Sequence, residues 1–514
     1  MSYRSSVRHS GEESHFTQCL LVSFAVISGA VLAGAAGDAE AQTQGAPGVV
    51  TQYQQRFQAA HAPPGMFKEL DDHVAGQAII VQGRQLLVDD CVIEEMQGVR
   101  KVLNQPVKHP RNPVLFRDKA WEVSGPYYGT VLFDEREKLF KMWYENWEQS
   151  EGTAGTLLLY ATSTNGVDWI KPIVDQQRGT NHVSPPAVHG FQAAGIFRDP
   201  VETDPAKRYK MLFSCAPDTT ARSWMTSAAH SADGIQWTAF SDLPMIPFSD
   251  TQNCPFWDRQ RQRYVAFLRF GPPNIRIISR TESEDFQHWS PKVTVLRHSK
   301  MDVPLATQFY QMSPFPYGDV YFGLIAAYHN ETLKPLPIAQ PWTDRKNLQL
   351  AFSRNGITWS RVGPSGAIPA PELEQDGDWR RVAEEAVFLP YGRKGKDWDW
   401  GTVSPYFTPN PIIVGDEIWF YYLGQNGRNW WTYIGDPPKL DLHAREPNHG
   451  VGLARLRLDG FVSVEAEGDA TLTTKPVVFL GDTLVINANA EGGSILVEAL
   501  GAGGDAIAGF TRED

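Results

Sequence analysis

The sequence predicts an all-β protein: a five-bladed β-propeller followed by a small or truncated β-sandwich segment. Three observations predict it. A short phrase recurs, ending at Trp169 (S-T-N-G-V-D-W), Trp237 (S-A-D-G-I-Q-W) and Trp359 (S-R-N-G-I-T-W), with a degenerate copy, S-E-D-F-Q-H-W, ending at Trp289. The copies lie roughly 50 to 70 residues apart, the size of a repeat built from one four-stranded sheet. Helical periodicity is nearly absent after Ala78, and short apolar runs bounded by turn residues dominate.

The elements follow in chain order. Residues 1–41 read as a secretory signal. Cys19 to Ala36 is an apolar run, Arg4, Arg8 and His9 lie upstream, and Ala39-Glu40-Ala41 is a small-x-small cleavage site before Gln42. The expectation is a secreted or periplasmic protein with no membrane span once the signal is removed. The run is short for a span and is interrupted by Ser and Gly. Residues 42–77 are rich in Gln, Ala and Pro and read as a lead-in. Strands begin at Ala78, and the pair near Ile79 to Ile93 is expected to join the last blade and close the ring.

Five strand–turn–strand units then open near Tyr127, Ala194, Asn253, Phe309 and Tyr406, and the Trp phrases follow the first four. Apolar strands fit burial between neighbouring blades, and polar turns fit the blade edge. Asp134, Asp204, Asp258 and Asp416 lie in those turns and are expected to face solvent. The propeller is expected over 78–461. Alternating strands with Gly turns over 462–514 read as the sandwich segment.

Composition bounds the partners. The chain has 514 residues and a net charge of −12. No basic stripe is present to neutralise phosphates, which argues against nucleic acid. The balance suits a neutral polar ligand such as a sugar. Beyond the signal, Cys91, Cys215 and Cys254 do not make a disulfide framework, though one pair is possible. No Cys-x-x-Cys or His-x-x-x-His spacing suggests a metal, and no cofactor is expected.

In a propeller the first strands of all blades line an axial funnel. Polar groups there are costly to bury without a ligand or water, so they are functional candidates. They are Tyr127 and Tyr128, Arg198-Asp199, Asp250, Gln252, Asn253, Gln308, Gln311, Glu384, Glu385 and the stretch Trp398-Asp399-Trp400-Gly401.

Five units, an Arg-Asp-Pro in the second and a trailing β-segment resemble the invertase and fructanase-type glycoside hydrolases of family 32, whose ring families 43 and 68 share. The resemblance implies three carboxylates: a nucleophile in the first blade, the Asp of Arg-Asp-Pro as transition-state stabiliser, and a Glu-Cys acid/base in the third. One group must protonate the leaving oxygen while another attacks, or activates water, on the opposite face. Arg198-Asp199-Pro200 matches the stabiliser motif. Asn253-Cys254-Pro255 stands where the family has Glu-Cys-Pro, and an amide cannot donate that proton. The family's Asn-Asp-Pro-Asn-Gly nucleophile motif is absent.

Four carboxylates are therefore the expected catalytic set: Asp199, Asp250, Glu385 and Asp399. Tyr128, Arg198, Gln252, Asn253, Gln308, Trp398 and Trp400 are the expected substrate contacts, the last two as stacking platforms for a sugar ring. The expected function is a secreted glycoside-hydrolase-like protein acting on a poly- or oligosaccharide. Its rival is a non-catalytic carbohydrate-binding propeller or surface scaffold, which Asn253 favours. The Trp phrase also resembles the sialidase Asp-box but has one residue fewer between Ser and Trp.

Overall fold

The structure is a computed structural model. It describes the backbone of residues 21–28, then residues 79–81, 84–150, 153–185, 189–216, 225–240, 246–247, 249–270, 276–297, 307–329, 345–363, 366–367, 386–393, 396–408, 410–426, 449–479, 484–501 and 504–512. The described residues are nearly all β; the one helical piece among them is a single 3-10 turn, Pro205–Lys207. The chain divides into two compact units. One comprises Met1–Asn104, Pro364–Ala367 and Asp459–Asp514; the other comprises Gln105–Gly363 and Ile368–Leu458.

The larger unit is a succession of antiparallel sheets in chain order. Gly129–Asp134, Leu139–Ser150 and Thr153–Ser163 form the first. His189–Arg198, Tyr209–Ala216, Met225–Ser231 and Trp237–Ala239 form the second, with Ile246–Pro247 added to Met225–Ser231. Cys254–Asp258, Arg263–Phe270, Ile277–Ser283 and Val293–Leu296 form the third. Thr307–Tyr317, Val320–His329 and Arg345–Ser353 begin a twelve-stranded sheet. A single parallel register pair, Lys346 with Thr402, joins them to a further run. That run holds Thr402–Ser404, Ile412–Val414, Glu417–Gln425 and His449–Arg457.

The outer edge of this last run is completed from upstream. Val107–Lys108 and Leu115–Phe116 both pair with His449–Arg457. Closure by an early segment is thus present, but not by the Ile79–Ile93 segment expected to supply it. Ile79–Val81 pairs with Val477–Phe479, and Ile93–Leu103 pairs with Val462–Thr474. Both belong to the smaller unit. Ile93–Leu103 buries Ile93, Lys101 and Leu103 and exposes Glu94, Glu95, Gln97, Gly98 and Arg100.

Packing between the sheets is apolar and aromatic. Trp143, Tyr160, Phe191, Phe213 and Trp237 share one core cluster, and Phe256, Phe267, Phe309, Tyr321 and Trp359 share another. Each Trp phrase is a turn with the same wiring. Ser163, Ser231, Ser283 and Ser353 accept with Oγ from the backbone N–H two residues on, at Asn165, Asp233, Asp285 and Asn355, and Ser163, Ser231 and Ser353 accept also from the glycine N–H that comes next. Asn165, Asp233, Asp285 and Asn355 accept from the two N–H groups that follow. Side chains standing in for backbone partners are what make such turns favourable. The degenerate copy keeps the wiring because Phe286 takes the positive φ, 65°, that Gly takes in the others.

In the smaller unit the sheet order is Ile93–Leu103, Val462–Thr474, Leu21–Ser28, Gly493–Leu500. The backbone of Leu21–Ser28, part of the expected signal, runs antiparallel to both neighbours. An apolar stretch with Val, Phe and Ile suits a central strand as well as a signal core. The rest of residues 1–41 lies outside the described residues. Cys91, Cys215 and Cys254 are free thiols. No helix among the described residues is long and apolar enough to cross a membrane.

Candidate functional site

The leading strand of each sheet in the larger unit has two chemically different ends. At the starting end the sheets are latched by side-chain amides. Gln252 Nε2 donates to the carbonyls of Gly129 and Ala194. Asn253 donates to the Ala193 carbonyl twice, from its backbone N–H at 3.0 Å and from Nδ2 at 2.9 Å. Gln311 donates to Ser313 Oγ at 2.8 Å, and Ser313 donates to the Pro405 carbonyl at 3.0 Å. Gly195 permits this approach: a Cβ there would lie 1.6 Å from the Asn253 carbonyl oxygen. Gln252 and Asn253, expected as substrate contacts, spend their donors holding sheet to sheet.

Beside this latch stands a cluster of rings and cations. Tyr128 packs edge-on against Tyr127 and Tyr406, with ring centroids 4.6 and 4.8 Å away. Tyr310 packs against Tyr328 at 5.7 Å. Around the Tyr310 ring lie Lys346 Nζ at 4.3 Å from the centroid, Arg269 Cζ at 4.5 Å and Arg276 Cζ at 5.3 Å. Arg269 is ion-paired to Asp250, whose side chain is 60% exposed. Arg276 donates to Gln308 Oε1 at 2.8 Å, which occupies that predicted substrate contact. Burial, reinforced by neighbouring hydroxyls, holds the phenols of Tyr127, Tyr128 and Tyr406 well above their ordinary range, so all three are neutral donors. His449 lies near Tyr127, donates from Nδ1 to the Ser124 carbonyl at 2.9 Å, and is pushed down to about 4 chiefly by burial.

The other end of the leading strands carries Asp134, Asp199 and Asp258, and there the structure repeats itself. Asp134 accepts from the backbone of Arg136 and Glu137, from Arg208 and from the Tyr209 hydroxyl. Asp199 accepts from the backbone of Val201 at 3.0 Å, from Lys210 at 2.5 Å and from the Tyr264 hydroxyl at 2.7 Å. Asp258 accepts from the backbone of Gln260 and Arg261 and from the Tyr321 hydroxyl at 2.9 Å. Each carboxylate caps its own hairpin turn and receives the tyrosine that opens the second strand of the next sheet. Asp134 and Asp258 are therefore buried rather than solvent-facing, because the neighbouring sheet supplies the partners that water would have supplied. Asp204 and Asp416 are not buried.

These placements separate the expected catalytic carboxylates. Asp199, with Arg198 beside it, lies five residues along the strand from Ala194, which the Gln252 latch touches. At about 3.3 Å per residue that is roughly 16 Å, too far for Asp199 and Asp250 to flank one glycosidic bond. Asp399 is buried and committed to Lys108 at 2.6 Å and the Tyr422 hydroxyl at 2.9 Å, tying the closing edge strand to the last run. Trp398 stacks on Tyr422 and covers Gly424, where a Cβ would lie 2.4 Å from the indole. Trp400 is half-buried on the same segment. Glu385 and Glu384 lie outside the described residues.

The sequence reading missed Arg269, Arg276, Tyr310, Lys346 and Tyr406 at the starting end, and also Glu145. Glu145 is fully buried below Tyr127 and Tyr128 and accepts from the Ala194 N–H at 2.6 Å. Burial pushes its carboxyl up to about 7. The Thr156 hydroxyl lies 2.6 Å from the Phe191 carbonyl and 3.0 Å from Glu145 Oε2. One hydroxyl proton cannot serve both, so the carboxylic acid donates to Thr156 when Thr156 donates to Phe191. Among the described residues no group of three or more His, Cys, Asp or Glu is placed to hold a metal ion.

No protein-family model matches the chain, and no curated protein matches it. Among solved structures it is similar to propeller-type glycoside hydrolases. One, titled simply as a glycoside hydrolase, is 13% identical over 71% of this chain and 92% of its own, with a TM-score of 0.38. Another is from work on a family of mannoside phosphorylases, family 130, containing hydrolases that target β-1,2 mannosidic linkages in Candida mannan. It is 14% identical over 69% of this chain and 94% of its own, with a TM-score of 0.41. A family 32 β-fructofuranosidase of Bombyx mori is 12% identical over 71% of this chain and 66% of its own, also with a TM-score of 0.41.

Proposed function

We propose that the protein is a carbohydrate-active propeller of the glycoside-hydrolase-like kind, with five blades and its site at the starting ends of the leading strands. The observation that carries this is the tyrosine cluster of Tyr127, Tyr128, Tyr310 and Tyr406 gathered beside the exposed carboxylate of Asp250. Aromatic faces stack on the apolar faces of sugar rings, and a carboxylate beside them supplies a base or nucleophile. Asp250, ion-paired to Arg269, is the proposed base or nucleophile. Glu385 is the proposed partner acid.

Substitution tests this reading. Asp250→Asn and Glu385→Gln should each lower the hydrolysis of a responsive oligosaccharide by a hundredfold or more, with the circular dichroism spectrum unchanged. Full activity in both variants would overturn it. One observation favours binding without turnover: of the described residues in the expected catalytic set, Asp250 alone is exposed at this end, Asp399 being buried against Lys108 and Tyr422. Glycan binding by the wild type with no product formed would select that reading.

Export by residues 1–41 belongs to the same proposal. N-terminal sequencing of the protein from its native host should begin near Gln42; a mature protein that retains Leu21–Ser28 would overturn it.

A further inference from the structure

Around the Tyr310 ring the basic side chains outnumber the carboxylates paired to them among the described residues. Lys346 is fully buried, and its Nζ reaches the Tyr406 hydroxyl at 3.1 Å; no carboxylate among the described residues pairs with it. Arg269 has its one carboxylate, Asp250, and its Nη1 is buried with no hydrogen-bond partner. Arg276 has the neutral Gln308 as its side-chain partner, and its Nε is likewise buried and unpartnered. All three surround one ring, that of Tyr310, within 5.3 Å of its centroid. Among the described residues, three basic side chains thus surround one ring, with Asp250 the carboxylate paired to them.

Such an arrangement is costly when empty. A buried ammonium without a counter-charge loses its hydration and gets only a phenol oxygen and a ring face in return. Orphaned guanidinium N–H groups add to that cost. Elsewhere in this chain buried lysines are compensated: Lys210 has Asp199 and Glu202, and Lys141 has Glu137 and Asp134. Lys346 departs from a rule that the same fold obeys at the other end of its sheets. Burial, then Arg269 and Arg276, lowers the affinity of its amine for a proton. An incoming anion reverses that effect and is held by the reversal.

We propose that this site takes an anionic glycan, with a carboxylate or sulfate group of one sugar seated against Lys346, Arg269 and Arg276 and the ring lying on the tyrosines. The inference rests on the carbohydrate reading above and names its substrate class. The guanidinium groups match a planar or tetrahedral oxyanion by paired N–H donation, and Lys346 adds a point charge behind them. Asp250, on the exposed side, is left to face the neutral part of the sugar.

Binding of the full-length protein is to be measured by calorimetry against four probes: an oligogalacturonate, its fully methyl-esterified form, a sulfated dextran oligosaccharide and unmodified dextran of the same length. The expected result is binding of one acidic probe at least tenfold tighter than its neutral counterpart, the preferred pair distinguishing carboxylate from sulfate. Lys346→Met and Arg276→Gln should each weaken that acidic probe by about tenfold to a hundredfold, the range for a hydrogen bond to a charged group. Arg276 is the less buried of the two and serves if the Lys346 variant fails to fold. Equal affinity for acidic and neutral members, or acidic binding untouched by both substitutions, overturns the inference and spares the carbohydrate reading. Binding of no glycan of either charge overturns both.

Discussion

The two ends of the leading strands in the larger unit are built on opposite plans. At the turn end three successive sheets use the same device: an aspartate caps its own turn and receives a tyrosine hydroxyl from the next sheet. At the starting end the sheets contribute a mixed set with no common plan. The first gives Tyr127 and Tyr128, the third Asp250 and Arg269, the next Tyr310 and Lys346, and the last run Tyr406. A feature that recurs in every repeat answers a need that every repeat shares, which is adhesion to its neighbour. A feature found once answers a need of the whole molecule. By this reasoning Asp199 serves the architecture, which leaves Asp250 as the carboxylate proposed for function, although the sequence offers them as one pair.

The sharpest way to break that division is to remove both aspartates. Asp199→Ala strips Lys210, which is buried, of its nearest counter-charge and leaves the Tyr264 hydroxyl without its acceptor. Loss of about 3 kcal/mol of stability is expected, since an uncompensated buried charge is the costly outcome and Glu202 at 3.0 Å offsets only part of it. Asp250→Asn should cost less, about 1 kcal/mol, because the Asp250 side chain is exposed and the amide oxygen still accepts from the buried Arg269. Urea denaturation of the two variants measures both. If the Asp250 variant is the unstable one, or if the Asp199 variant is stable and specifically inactive, the assignment of the two ends is reversed.

Much of this was legible beforehand, and the limits have physical causes. The all-β class, the four Trp-phrase turns and the strand–turn–strand units follow from local patterns, because turn chemistry and strand alternation act within a few residues. Arg198-Asp199-Pro200 misled because a tripeptide does not say at which end of a strand it lies; comparison with Asp134 and Asp258 does. Lys346 left a trace that was readable. Counting seven residues back from the serine of each phrase reaches Thr156 from Ser163, Arg276 from Ser283 and Lys346 from Ser353. These positions share a register at the starting end, so a cation there marks a departure from the repeat. The tyrosine cluster was less accessible. Tyr310 falls at an irregularity in the pairing of Thr307–Tyr317 with Val320–His329, where strand alternation no longer indicates which way a side chain points.

Glu145 tests whether the starting end is adapted for ligand alone or also for adhesion. Its carboxyl is buried and bonded to Ala194 and Thr156, so it joins the first sheet to the second. Its folded value, about 7, lies above the ordinary 4.5. The folded state therefore binds a proton over that interval that the unfolded chain has released. The stabilisation is complete below about pH 4.5 and is lost as pH rises through 7, and a shift of this size amounts to about 3 kcal/mol. Glu145→Gln reproduces the protonated form: its Oε1 still accepts from Ala194 and its Nε2 donates to Thr156, freeing the threonine proton for Phe191. The variant should match the wild type near pH 4.5, exceed it progressively from there to about pH 7, and keep that margin above pH 7 in thermal or urea unfolding. Parallel stability curves for the two proteins across pH 5 to 9 would show that the carboxyl is already ionised at neutrality, and would return Glu145 to the list of charged groups available to the site.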